Sequence, residues 1–155
     1  PLCSVNLGAG CYQRVRQFFH LGVKTVLVAS GLFVLVGELL PRVIVGIFTE
    51  PTPQVVSMAV YAIRIYFIAY LPMGINIITS TFHQSLESFR EATLISLARG
   101  LIFLVPALFL LGEVFGVNGI WATVPVCEGL TLLLSVLLLR RLFAARFPEE
   151  SLSAL

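Results

Sequence analysis

Residues 117–139, VNGIWATVPVCEGLTLLLSVLLL, contain one charged side chain, Glu128, in an otherwise unbroken apolar and small-residue run. At about 1.5 Å per residue, a helix of this length crosses a hydrocarbon core of about 30 Å. Apolar residues continue all round such a helix, with none of the polar stripe that a helix on a soluble protein keeps toward water. Lipid is therefore the solvent that this stretch predicts. Three more runs of spanning length lie upstream, at 18–40, 55–82 and 92–112. Lys24 and Glu38 fall near the ends of the first run. There a lysine stem reaches a headgroup region, and Pro41 interrupts the helix close to Glu38.

The whole chain has the same character. Apolar residues make up 58% of its 155 residues and charged residues only 12%, half the charged share of an ordinary soluble domain. The net charge of +2 suggests no nucleic-acid surface in so apolar a chain. The three cysteines are odd in number, and Cys127 sits within an apolar run, which speaks against a disulfide framework or a metal cluster. PLCSVNLGAG opens at Pro1 without a methionine and reads as the continuation of an upstream segment.

The connections are punctuated. Phe48-Thr49-Glu50-Pro51-Thr52-Pro53 stops the first segment, and Thr52-Pro53 suits an N-cap followed by proline at the first helical position. Ser88-Phe89-Arg90-Glu91 has capping-box spacing, and Gly112, Gly116, Asn118 and Gly119 predict a tight turn into the last helix. Short connections imply antiparallel neighbours. Basic residues then set the orientation. Arg14, Arg16 and Lys24, then Arg90 with Arg99 further on, then Arg140, Arg141 and Arg146 fall on one side if every segment crosses, leaving Arg42 opposite. Both ends are expected in the cytoplasm. The layout is a loop and helix start at 1–17, four membrane helices within 18–143, and a cytoplasmic tail at 144–155.

Asn6-Leu7-Gly8-Ala9-Gly10-Cys11-Tyr12-Gln13-Arg14-Val15-Arg16 resembles the N-x-G-A-x-x-x-x-R-V-(R/K) loop of the multidrug and toxic compound extrusion (MATE) transporters. Ala62-Ile63-Arg64-Ile65, Ser96-Leu97-Ala98-Arg99 and Phe115-Gly116-Val117-Asn118-Gly119-Ile120-Trp121 are similar to later motifs of that family, followed by Pro125 and Glu128. The resemblance covers residues 1–143. It implies an all-α membrane protein of twelve helices in two lobes, to which this chain supplies the ninth to twelfth. It further implies outward movement of amphipathic, cationic small molecules across the plasma or inner membrane, driven by inward H+ or Na+, with no other cofactor. One branch of the family carries a cation-binding aspartate beside the mid-helix proline of its tenth helix. Leu71-Pro72-Met73-Gly74-Ile75-Asn76 has no acid there, which places this chain nearer the branches lacking it.

Within that frame, Glu128 is the first candidate for a coupling proton or a substrate's positive charge. An ionised group at mid-membrane costs at least about 2.5 kcal/mol unless it faces a cavity or a partner. On a 3.6-residue period Asn118, Trp121, Pro125, Glu128 and Ser135 share a face. The competing reading is a protonated acid bonded to a neighbouring helix.

Pro72, Asn76, Thr79, Ser80 and His83 share another face, either a substrate path or polar glue between helices. His83 is expected at the interface. Tyr66, Phe67, Tyr70 and Met73 suit either stacking against a flat cation or ordinary packing. Arg64 is expected in an ion pair, with Glu113 as a partner. Pro72, Pro106 and Pro125 are expected to kink their helices.

No nucleophile–base pair, metal-spaced ligand set or phosphate loop is present in the sequence, so a transporter is favoured over an enzyme. A lipid-linked oligosaccharide flippase of similar shape and a non-transporting membrane assembly module are the alternatives.

Overall fold

The computed structural model describes residues 1–48 and 52–147. A short helix α1 (Leu2–Gly8) leads into α2 (Tyr12–Leu39), and α3 (Pro41–Phe48) follows after one break. Then come α4 (Pro53–Ile68), α5 (Tyr70–Ser85) and α6 (Phe89–Leu97), a π-turn at Ala98–Ile102, α7 (Leu104–Phe115) and α8 (Val117–Arg146). Taken as continuous rods these make four helices long and apolar enough to cross a membrane: Tyr12–Leu39, Pro53–Ser85, Phe89–Phe115 and Val117–Arg146. No strand occurs among the described residues. The first three helices begin earlier than the apolar runs and the last three end later, because a helix continues through the headgroup zone on arginine and polar side chains.

Each interruption has a local cause. Pro72 has no N–H for the carbonyl of Ile68 and its ring crowds that carbonyl, so the second span breaks at Ala69, whose N–H turns back to Tyr66 O at 3.0 Å. Pro106 likewise offers nothing to Ile102. The irregularity lies one turn earlier, as a π-turn in which Phe103 N–H reaches Ala98 O at 2.9 Å. α8, by contrast, runs through Pro125 without a break. Pro53 stands at the start of α4 as expected. Neither Thr52 nor Ser88 makes a side-chain capping bond, so the capping-box spacing at Ser88 is not used. Thr49, Glu50 and Pro51 lie outside the described residues.

The tight turn into α8 is a single residue. Gly116 has φ +59° and ψ −138°, a backbone conformation that only glycine adopts readily. Beyond it Gly119 presses on α7, where an added Cβ would collide with the backbone carbonyl of Leu111. Asn118 and Gly119 belong to α8 rather than to the turn.

The fold is inverted relative to a soluble bundle. Leu32, Phe33, Phe109, Leu110, Leu133 and many other large apolar side chains face outward, whereas Asn76, Thr79, Ser80, His83, Thr123, Glu128, Thr131 and Ser135 are buried. In hydrocarbon this is the stable arrangement. Apolar side chains gain nothing by leaving lipid, and small or polar ones let backbones approach and pair. α5 is central and packs against α2, α6 and α8.

At one end an apolar cluster of Val15, Phe19, Phe82, Leu86, Leu142 and Phe147 joins the start of α2, the end of α5 and the end of α8. Phe19 and Phe82 approach to 4.3 Å between ring centroids. Arg14, Arg16, Arg90, Arg140, Arg141 and Arg146 sit on helix ends at this same level.

Gly119→Val is expected to lower the stability of the purified protein by about 1–3 kcal/mol, because the colliding atom is backbone and cannot rotate away. Gly31→Ala, where nothing lies within 4 Å of the added carbon, is the matched control and should not lower it. Thermal unfolding in detergent checks both.

Candidate functional site

Glu128 is 3% exposed, near the middle of α8, and every oxygen of its carboxylate is engaged. Arg99 donates Nε–H to Oε1 at 2.7 Å, and Asn76 donates Nδ2–H to Oε2 at 2.8 Å. Asn76 is fully buried on α5. Its Nδ2 also reaches the backbone carbonyl of Glu128 at 3.0 Å, while its Oδ1 accepts from Ser135 Oγ at 2.9 Å. Three spans thus meet on one carboxylate. A charge-assisted bond and a neutral amide bond replace the water that the acid loses in the membrane interior.

The π-turn places the cation. Arg99 lies within it, and the disturbed ladder leaves the Arg99 carbonyl to accept from Cys127 Sγ at 3.1 Å. Backbone and side chain of Arg99 are therefore both bound to neighbouring residues of α8, Cys127 and Glu128. π-bulges of this kind commonly mark functional positions, since the extra residue re-aims side chains without ending the helix. Thr131 and Thr123 return their hydroxyls to α8 itself, at Cys127 O (2.8 Å) and Gly119 O (3.0 Å), so the buried face of α8 is polar but satisfied.

Beside this cluster α5 and α6 border an open cavity of about 170 Å³, lined by Asn76, Ser80, Ile95, Ser96 and Arg99 and, at its exposed mouth, by Ile77 and Thr81. The Arg99 side chain is one-third exposed, whereas that of Glu128 is 4% exposed. The pair is lopsided: the acid is enclosed and the base faces open space.

Of the residues singled out from sequence, Glu128 and Asn76 come into direct contact and Ser135 joins them. Arg64, Tyr70 and Trp121 do not. Arg64 pairs with Glu38 of α2 at 3.6 Å, not with Glu113, because α2 and α4 are the neighbours here. Both side chains are substantially exposed, so this pair is a surface contact. Tyr70 packs in an aromatic group, with ring centroids 5.3 Å from Phe33, 5.2 Å from Phe67 and 6.3 Å from Tyr66. Trp121 is half-buried two turns before Glu128, and its Nε1 has no hydrogen-bond partner among the described residues. Asn118 is exposed, so the buried face of α8 runs through Thr123, Cys127, Glu128, Thr131 and Ser135 instead.

His83, near the end of α5, is fully buried in the protein, with Nδ1 at 2.9 Å from Thr79 O and Nε2 unpartnered among the described residues. Sequence reasoning underrated Arg99. The signal was an arginine well inside the third span with an acid well inside the fourth, two opposite charges in hydrocarbon on consecutive helices.

Comparison with known proteins places the chain in a family. The chain is similar to a protein of Shewanella oneidensis named FAD transporter, 29% identical over 126 residues that make up 81% of this chain and 28% of that protein. It is also similar to the multidrug export protein MepA of Staphylococcus saprophyticus, 22% identical over 138 residues, or 89% of this chain and 30% of that protein. The chain thus spans under a third of the length of these two relatives. No solved structure matches it. The family model described as MatE matches residues 1–109, more than two thirds of the chain, and together with the four apolar spans this shows that the chain is a multi-pass membrane protein belonging to the MatE family.

Proposed function

We propose that this chain forms part of the carboxy-terminal lobe of a cation-coupled antiporter that exports amphipathic organic compounds. The observation that carries the reading is the enclosed Glu128 carboxylate, bonded at once to Arg99 and Asn76 from two other spans. Such a carboxylate has two exchangeable partners. A proton arriving at Oε1 removes the charge that holds Arg99, and a cationic cargo group competes with the guanidinium for the same oxygen. Each event breaks a link between α8 and the π-turn, and so favours a different packing of the spans. H+ is the better coupling ion here. A sodium site needs several oxygen ligands, and one oxygen of this carboxylate faces a guanidinium while the other faces an amide N–H. The breaks in the helical ladder, at Ala69 and the π-turn, lie on the two spans that bring Asn76 and Arg99 to Glu128. This suits alternating access by rocking of helix groups about a fixed site.

The names of both relatives support transport of small organic molecules, and the one named FAD transporter widens the cargo to include a dinucleotide. A catalytic role has no support from the site. The cluster joins an acid, an amide and a guanidinium with no nucleophile poised against a base.

The basic helix ends at the level of the aromatic cluster support a cytoplasmic orientation for that end under the positive-inside rule.

In the full-length protein, Glu128→Gln is expected to reduce proton-driven efflux of a fluorescent cationic dye by about tenfold or more and to flatten its dependence on pH. Retention of full efflux and of the wild-type pH profile would remove Glu128 from the mechanism. For orientation, a variant keeping Cys11 as its one cysteine should react with a membrane-impermeant maleimide in inside-out vesicles. Reaction in right-side-out vesicles instead would reverse the topology.

A further inference from the structure

The cavity between α5 and α6 has a chemistry of its own. Among the described residues its one charged wall is the guanidinium of Arg99, and no carboxylate lines it. Arg99 uses Nε toward Glu128, and the structure gives its two terminal nitrogens no partner among the described residues. Ser80 and Ser96 face each other across the cavity wall with hydroxyls 3.4 Å apart. Both donate to one oxygen, the carbonyl of Ala92, at 3.2 Å and 3.0 Å. That carbonyl belongs to α6 and also serves the helix ladder, so three donors crowd two lone pairs. One hydroxyl is surplus and can turn into the cavity at little cost.

A cation entering this space meets a guanidinium, and an apolar group leaves the guanidinium's terminal nitrogens and the surplus hydroxyl without an acceptor. An anion satisfies all of them. At about 170 Å³ the space has room for a polar group against Arg99, and it opens outward past Ile77 and Thr81.

We propose that this cavity is an anion subsite that takes one phosphate or carboxylate group, with Arg99 as its charge and the surplus hydroxyl of the Ser80–Ser96 pair as a donor. The proposal rests on the transport reading above and names the cargo chemistry that reading leaves open. Glu128 is then the built-in occupant of one edge of Arg99, and an anionic ligand competes with it. The ion pair sorts charge: when it opens, Glu128 is available to a positive group and Arg99 to a negative one. A cargo carrying either sign, or both, finds a partner in the same cluster. The phosphate could come from a soluble cargo or from the headgroup of an anionic lipid.

The test is a calorimetric titration of the purified full-length protein, in nonionic detergent, with inorganic pyrophosphate. Wild type should bind it. Glu128→Gln should bind about tenfold more tightly, because the competing carboxylate charge is gone, and Ser80→Ala with Ser96→Ala about tenfold less tightly. The double variant Arg99→Gln, Glu128→Gln leaves no unpaired buried charge and therefore keeps a fold, checked by its unfolding midpoint. It should not bind. Equal affinity of wild type and this double variant, or no binding by folded wild type at millimolar pyrophosphate, overturns the subsite.

Repeating the titration in phosphatidylcholine nanodiscs with and without phosphatidylglycerol separates the sources. Weakened pyrophosphate binding in phosphatidylglycerol assigns the site to a lipid headgroup, and unchanged binding assigns it to a soluble anion. Dye efflux by the wild type is read in parallel. A protein that exports dye but binds no anion loses the subsite alone, and one that binds anion but exports nothing loses the transport reading.

Discussion

A carboxylate in the middle of a hydrocarbon layer must be neutralised, bonded or wetted, and the arrangement of three spans follows from how Glu128 meets that demand. Asn76 must face α8, so α5 turns its polar face inward and carries Thr79, Ser80 and His83 with it. Arg99 must reach the same carboxylate, so α6 and α7 are joined by a π-turn at that level instead of a continuous helix. Removing one member of such a buried pair costs on the order of 3–5 kcal/mol in a closed interior, and less here because the Arg99 side chain keeps contact with open space. The polar interior and apolar exterior are two sides of one requirement, that nothing polar be left unsatisfied in lipid.

Prolines do related work on the backbone. Pro72 and Pro106 each cancel one helical hydrogen bond, and in both spans the irregularity appears one turn earlier. These breaks fall on the two spans that bring Asn76 and Arg99 to Glu128. Pro125, on the span that carries the acid, causes no break. The acid is thus held on an unbroken rod while its partners arrive on jointed ones.

The four spans were legible from hydropathy, because lipid imposes length and apolarity on the sequence directly. Glu128 was legible for the same reason: a lone acid at mid-span stands out. Asn76 emerged from helical periodicity. Arg99 did not emerge as its partner, for a geometric reason. Counted from the turn at Gly116, Glu128 lies twelve residues along one helix and Arg99 seventeen along the other, a mismatch of about 7 Å at regular helical rise. The π-turn and the length of an arginine side chain span that offset, and neither can be read from spacing. Arg64 was misassigned to Glu113 because sequence does not say which spans are neighbours, and α2, carrying Glu38, packs on α4.

The single-residue turn at Gly116 has a geometric consequence. With Gly119 seated on the Leu111 carbonyl, α7 and α8 run backbone against backbone directly after the turn, with no room for a side chain between them. Closing the hairpin this tightly sets the offset between its two arms at the turn, well before the chain reaches Glu128. The Arg99–Glu128 pair therefore forms across a register fixed by two glycines.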